Sequence, residues 1–186
     1  GEVKGKRIII QGWGNVAGTA AYYLAQAGAI IVGIIDKNGG LINKDGYSFD
    51  EIKSLLEDRS SNFLEAENML SFEKANEVIW SVGAEIFVPA AASRLLTQAQ
   101  LDTMVDNGLE VISAGANVPF ADKEIFFGDI SKSADKRISV LPDFIANCGM
   151  ARAFSYFMED NCQMNDTSIF KAVSNTIKDA IQNTYN

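Results

Sequence analysis

Histidine is absent from this chain of 186 residues, cysteine occurs only twice and proline three times. Without histidine the protein lacks the commonest general base and the commonest neutral metal ligand. The two thiols, Cys148 and Cys162, are too few and too scattered to suggest a zinc site. On one continuous helix they would stand about 21 Å apart, at about 1.5 Å per residue, too far for a disulfide. With no secretory signal ahead of the first apolar run, a reducing, cytoplasmic compartment is expected. No apolar run approaches the roughly 20 residues that a membrane-spanning helix requires, so no membrane partner is expected. Basic residues number 16 against 24 acidic ones, a net charge of −8. That balance argues against nucleic acid, whose phosphates are bound by clustered Lys and Arg. Apolar residues make up 47% and charged residues 22%, which excludes a disordered chain, and the length fits one compact domain.

Glycine, by contrast, is placed in a pattern. Gly12-Trp13-Gly14-Asn15-Val16-Ala17 directly follows the apolar run Ile8-Ile9-Ile10 and precedes a helix-like stretch. A strand that turns tightly into a helix through glycines brings backbone N–H groups close to a pyrophosphate, whose charge the helix start favours. Ala17 takes the third motif position and still permits close packing of helix on strand. Val16, Ala20, Leu24 and Ala27 recur at helical spacing and are predicted to face the sheet, with Gly28 stopping the helix. A second apolar run, Ile30 to Ile35, ends on Asp36, spaced from the first glycine as expected for a carboxylate that takes the adenosine ribose hydroxyls. The spacing predicts a dinucleotide-binding βαβ unit.

Beyond it, Lys37 to Gly40 read as a turn and Leu41 to Gly46 as a short hairpin-like excursion. Ser48 and Glu51 form a capping box ahead of a helix with Phe49, Ile52, Leu55 and Leu56 on one face. Residues 58–68 read as a surface loop and 72–80 as a weaker helix. Strands are predicted at 85–88, 110–112 and 138–141, with a second capping box, Thr97 to Gln100, between the first two. Helices are predicted at 147–157 and 167–181, the latter with Phe170, Val173, Ile177 and Ile181 as its stripe. Alternating strands and helices give an α/β, Rossmann-type, doubly wound and mainly parallel sheet with helices on both faces. The helices of residues 147–186 are expected to pack on it.

Ligands of such sheets lie outside the carboxyl ends of the strands. The loops there read Pro89-Ala90-Ala91-Ala92, Ala114-Gly115-Ala116-Asn117-Val118-Pro119 and Pro142 to Gly149. Small residues let a flat cofactor approach the backbone, and Asn117 and Asn147 offer amides that donate and accept; either asparagine could equally serve as a helix cap.

Together these motifs resemble the carboxy-terminal, cofactor-binding domain of the glutamate/leucine/phenylalanine/valine dehydrogenases. The resemblance rests on Gln11 to Val16, Asp36 with Gly39-Gly40, Pro89-Ala90-Ala91, Gly115-Ala116-Asn117 with Pro119, and Leu141-Pro142-Asp143 through Asn147 and Gly149. It implies oxidative deamination of an L-amino acid to a 2-oxo acid, with hydride passing from Cα to a nicotinamide. Gly12, Gly14, Asn15 and Val16 would then hold the pyrophosphate and Asp36 the adenosine ribose. Ala90 and Ala91 would line the cofactor cleft, Ala116 and Asn117 would approach the nicotinamide ribose, and Asn147 would lie near substrate and nicotinamide. In the family the proton chemistry belongs to a lysine and an aspartate of another domain. Lys44, Lys53, Lys74 and Lys123 of this chain fall in polar stretches where lysine stays solvated. With Gly1 to Lys6 resembling a connecting segment, the chain is expected to be a fragment of a longer protein. Its partner would be a substrate and oligomerisation domain ahead of it, and the full-length chain a homo-oligomer. The fragment is expected to bind a dinucleotide without turning over substrate.

Two points of specificity stay open on the sequence. In the helix beginning near Gly149, either Phe154 or, with one inserted residue, Ser155 takes the side-chain-reading position; Phe154 reads equally as a core residue. Asp36 would repel the extra phosphate of NADP and so favours NAD, but Lys37 and Asn38 could offset that repulsion and leave NADP possible. A free-standing nucleotide-sensing module that regulates a partner is the alternative function.

Overall fold

A computed structural model describes residues 2–125 and 127–185, so Gly1 of the expected connecting segment lies outside the described residues. Strands β1 (Arg7–Gln11), β2 (Ile30–Asp36), β3 (Gly39–Tyr47), β4 (Ile86–Pro89), β5 (Val111–Ser113) and β6 (Ser139–Leu141) form one sheet of order β3-β2-β1-β4-β5-β6. All neighbours pair in parallel except β2 and β3. The order reverses between β1 and β4, the switch point beside which open α/β sheets bind ligands.

Both sheet faces are covered, because the central strands are apolar on both sides. Helices α1 (Asn15–Gln26) and α2 (Phe49–Glu57) cover one face, where Ile8, Ile10, Ile31 and Ile34 meet Ala17, Ala21 and Ile52. On the other face, Ile9, Val32 and Phe87 pack against residues of α3 (Phe72–Val78), α4 (Gln98–Asp106) and α5 (Asp129–Asp135). A 3-10 turn, Ile79–Ser81, extends α3. The register of β1 on β2 slips between Ile8 and Ile9, opposite Val32 and Gly33, a bulge that an isolated strand glycine commonly marks.

Three features depart from the reading of the sequence. Of α1, Ala17, Ala21 and Ala25 are buried in the core, Gly18 is buried against Leu56 of α2, and Leu24 of the expected stripe packs partly buried at the core edge, while Val16 is 49% exposed and Ala27 lies on the surface. A helix lying close on a sheet favours its smallest residues at the contact, so Ala17, Ala21 and Ala25, each one residue or roughly 100° on from the expected Val16, Ala20 and Leu24, take the centre of the face and Leu24 its edge. The excursion after Asp36 is a strand of nine residues, joined to β2 by Lys37 and Asn38 alone, in which Gly39 to Ile42 pair with β2 and the expected turn at 43–46 bulges out before Tyr47 pairs with Ile31. A two-residue connection can only join antiparallel strands. The loop at 58–68 is not all surface, since Leu64 is buried in the core beneath it.

Gly28, with φ at +88°, adopts the left-handed conformation that ends α1 as expected. Both capping boxes are formed. The carboxy-terminal part comprises α6 (Asp143–Ala146), α7 (Gly149–Phe157) and α8 (Asp166–Tyr185). Helix α8 contacts both α6 and α7, and Phe170 reaches Tyr23 of α1 edge-on, with ring centroids 6.2 Å apart. Cys148 precedes α7 and Cys162 follows it, so no continuous helix joins them, and both are free thiols. No helix among the described residues is long and apolar enough to cross a membrane.

Candidate dinucleotide site

The carboxyl ends of the strands are stitched together by backbone hydrogen bonds. Gly12 N–H donates to Ile35 at 2.7 Å, Ala90 N–H to Gln11 at 2.8 Å, Ala116 N–H to Pro89 at 2.8 Å and Ala114 N–H to Leu141 at 3.0 Å. The loops singled out in the sequence therefore form one continuous rim. Gly12 has φ at +99°, and a Cβ there would fall 2.8 Å from the Ala90 carbonyl oxygen. Its requirement for glycine is thus set by the Pro89-Ala90-Ala91 loop as well as by the turn. A Cβ on Gly115 would lie 2.9 Å from the Ala90 Cβ and 3.3 Å from Val16 Cγ1, so the glycine turn, the Pro89-Ala90-Ala91 loop and the Gly115-Ala116-Asn117 loop meet at one point.

A cleft of about 560 Å³ opens at this rim, bounded by Gly12, Gly14, Asp36, Ala90, Ala91 and Ala92, and further by Phe63, Phe72 and Leu95. Its size is that of a small-molecule site. Gly14 caps α1 without a side chain, so the first-turn amides of Asn15 and Val16 receive no side-chain acceptor. A Cβ on Gly14 would meet nothing nearer than the Asn62 carbonyl at 4.0 Å, which leaves the approach to those amides open. Asp36 is 9% exposed at the end of β2. One of its carboxylate oxygens accepts the Lys37 N–H and the other accepts the Leu64 N–H at 2.9 Å. Each oxygen keeps a lone pair for a hydroxyl. Open amides at the start of α1, a strand-end carboxylate and apolar walls are the chemistries that phosphates, a ribose and a base require.

Asn117 and Asn147 lie further along the rim and touch, with Asn147 Nδ2 donating to Asn117 Oδ1 at 3.0 Å. Asp143 Oδ2 accepts the Val118 N–H at 2.8 Å, which ties the loop after β5 to the loop after β6. Arg94 and Val118, both in the left-handed region with φ at 60° and 48°, join at the outer edge, where Arg94 N–H donates to Val118 at 2.7 Å. Phe154 and Ser155 are both exposed on α7, Phe154 at 61%, so Phe154 is not a core residue.

Sequence reasoning missed Arg59. From the loop after α2 its guanidinium donates to the Trp13 carbonyl at 3.0 Å and to Asn15 Oδ1 at 2.7 Å. This brings a cation to the glycine loop across 44 residues of chain, and no local pattern marks it. It also missed Phe63, whose ring lies beneath the Lys37 ammonium at 3.5 Å. Among the described residues, no group of three or more His, Cys, Asp or Glu side chains is placed to hold a metal ion.

Strand order, glycine turn and terminal carboxylate define a Rossmann-type nucleotide-binding domain. The family model of the glutamate/leucine/phenylalanine/valine dehydrogenases matches residues 1–186, and the chain belongs to that family. It is 32% identical over 157 residues to a catabolic NAD-specific glutamate dehydrogenase of Bacillus subtilis, covering 84% of this chain and 34% of that one. To an NADP-specific glutamate dehydrogenase of Saccharolobus shibatae it is 31% identical over 152 residues, covering 80% of this chain and 33% of that one. Glutamate dehydrogenase 2 of Plasmodium falciparum shares the fold, with a TM-score of 0.71 at 20% identity, over 95% of this chain and 39% of that one. The chain spans about a third of the length of the curated relatives it matches.

Proposed function

We propose that this chain is the cofactor-binding domain of an NAD(P)-dependent amino-acid dehydrogenase. The observation that carries the reading is the convergence of Gly12, Gly14, Asp36, Ala90 and Ala91 on one cleft in a member of this family. The whole protein would oxidise L-glutamate, or a branched-chain or aromatic amino acid, to its 2-oxo acid and ammonia. When bound, the oxidised nicotinamide supplies the acceptor for the hydride that leaves the substrate Cα. What the residues of this chain contribute is binding and placement. The amides at the start of α1, with Arg59 beside them, hold the pyrophosphate. Asp36 receives the adenosine ribose hydroxyls. Asn117 and Asn147, each orienting the other, hold the nicotinamide ribose and the amide end, and Phe154 or Ser155 faces the substrate side.

The deaminating base is assigned to a domain outside these residues. A base for this step needs a pKa drawn toward neutrality by burial or a neighbouring charge. Lys44, Lys74 and Lys123 are exposed, and the partly exposed Lys53 side chain pairs with Glu57 at 3.9 Å. Oligomerisation is assigned to that same outer domain.

Calorimetric titration of the chain with NAD and with NADP tests the reading. Asp36→Ser is expected to weaken NAD more than NADP, because the lost carboxylate holds the ribose hydroxyls of the first and repels the phosphate of the second. Equal losses would remove Asp36 from the ribose. A folded wild-type chain that binds neither dinucleotide would overturn the proposal.

A further inference from the structure

Trp80, Asn76 and Gln100 meet on the wall of the same cleft, and the function proposed above gives them no part. Trp80 Nε1 donates to Asn76 Oδ1 at 3.1 Å, and Gln100 Nε2 donates to the same oxygen at 3.4 Å. An indole N–H can only donate, so the carbonyl side of the Asn76 amide must face it and the group cannot be turned over. Gln100 is fixed in the same manner. Its Oε1 accepts the Thr97 N–H at 2.9 Å in the cap of α4, which leaves its amino group to face Asn76.

The capping box of α4 thus orients Gln100, and Gln100 with Trp80 orients Asn76. Asn76 Nδ2 then has both N–H bonds without a partner among the described residues. No buried side-chain nitrogen or oxygen among those residues lacks a partner, so this donor is accessible, on a residue that lines the cleft. Asn76 lines the same cleft as Asp36, whose apolar lining includes Phe63, Phe72 and Leu95. Asn117 and Asn147 do not border it.

We propose that Asn76 donates a hydrogen bond to a ring nitrogen of the adenine of the bound dinucleotide and is a base-reading residue of this domain. The assignment rests on the dinucleotide reading above. Three of adenine's ring nitrogens are pure acceptors, and its flat face suits the apolar wall next to the ribose carboxylate. A donor that cannot rotate into an acceptor matches such a base and mismatches one that presents an N–H at the same place.

The test is calorimetric binding of NAD and of ADP-ribose, which lacks the nicotinamide, to the wild-type chain and to two variants. Asn76→Asp keeps the oxygen that Trp80 and Gln100 need and replaces the donor by an acceptor. Asn76→Leu removes the donor without adding charge. Both ligands are expected to bind about fivefold more weakly to Asn76→Leu, and more weakly still to Asn76→Asp, with the thermal midpoint of Asn76→Asp close to wild type. Undiminished affinity of Asn76→Asp for both ligands would overturn the assignment while leaving the dinucleotide reading intact. A wild-type chain that binds neither ligand would overturn both.

Discussion

Gly115 has no side chain, and that lets three distant stretches of chain touch. With 2.9 Å to the Ala90 Cβ and 3.3 Å to Val16 Cγ1, there is no room for even one carbon without movement of the rim. Gly115→Val is therefore expected to destabilise the chain by about 1–3 kcal/mol, the usual cost of overpacking a well-filled contact. It should also weaken NAD binding, because Ala90 lines the proposed cofactor cleft and Val16 opens the helix proposed to hold the pyrophosphate. Urea denaturation and an NAD titration check this, and an unchanged midpoint would contradict the contact. Residue by residue, Gly12, Asp36 and Ala90 of the cleft were legible in the sequence because each is a small or acidic residue at or just beyond a strand end. Arg59 and Asn76 were not, because their roles come from partners brought in by the fold: Trp13 and Asn15 for one, Trp80 and Gln100 for the other.

At the scale of elements, α2 is the buttress of the glycine loop. Trp13 is buried, and its indole N–H donates to the Leu55 carbonyl of α2 at 3.2 Å. The helix is held at its start by Ser48 and Glu51, whose carboxylate accepts both the Ser48 N–H and the Ser48 hydroxyl at 2.7 Å. Ser48→Ala is expected to lower stability by about 1 kcal/mol. The Ser48 hydroxyl, and then its backbone N–H, hold the Glu51 carboxyl below its ordinary value of 4.5. A depressed carboxyl contributes stability that is full above that ordinary value and lost as pH falls through the lowered one. The gap between wild type and Ser48→Ala should therefore narrow in acid. Denaturant midpoints measured near neutrality and in acid, below the Glu51 range, check this; a gap that widens in acid would contradict it.

The elements themselves were largely readable because the signals were strong: β-branched runs for β1 and β2, capping boxes for α2 and α4. Helix α5 was missed. It is seven residues long and its cap, Gly128, has no bonding side chain. The Asp122 carboxylate takes the Ile130 N–H at 2.8 Å and the Ser131 N–H at 3.0 Å instead. A cap supplied from outside the helix leaves no trace at the helix start.

For the whole molecule, the alternation of strands and helices was legible, and so was the turn after Asp36, but the stretch beyond that turn was read as a short excursion and not as the edge strand of the sheet. We expect the chain by itself to bind a dinucleotide and be stabilised by it through mass action. It should form no reduced nicotinamide when offered glutamate, leucine, valine or phenylalanine. A thermal melt with and without cofactor, and absorbance of the reduced nicotinamide, check the two halves. Turnover by this chain alone would place the deaminating base within it.

Between β2 and β3 the backbone reverses over Lys37 and Asn38 with no residue to spare, and Asp36 stands immediately before them. Side chains at 37 and 38 can be exchanged while Asp36 and Gly39 remain paired, but an insertion would unzip the edge of the sheet at the place where the carboxylate is anchored. Descendants of such a chain could therefore swap one dinucleotide for the other by altering charge at this corner, and hardly ever by altering its length.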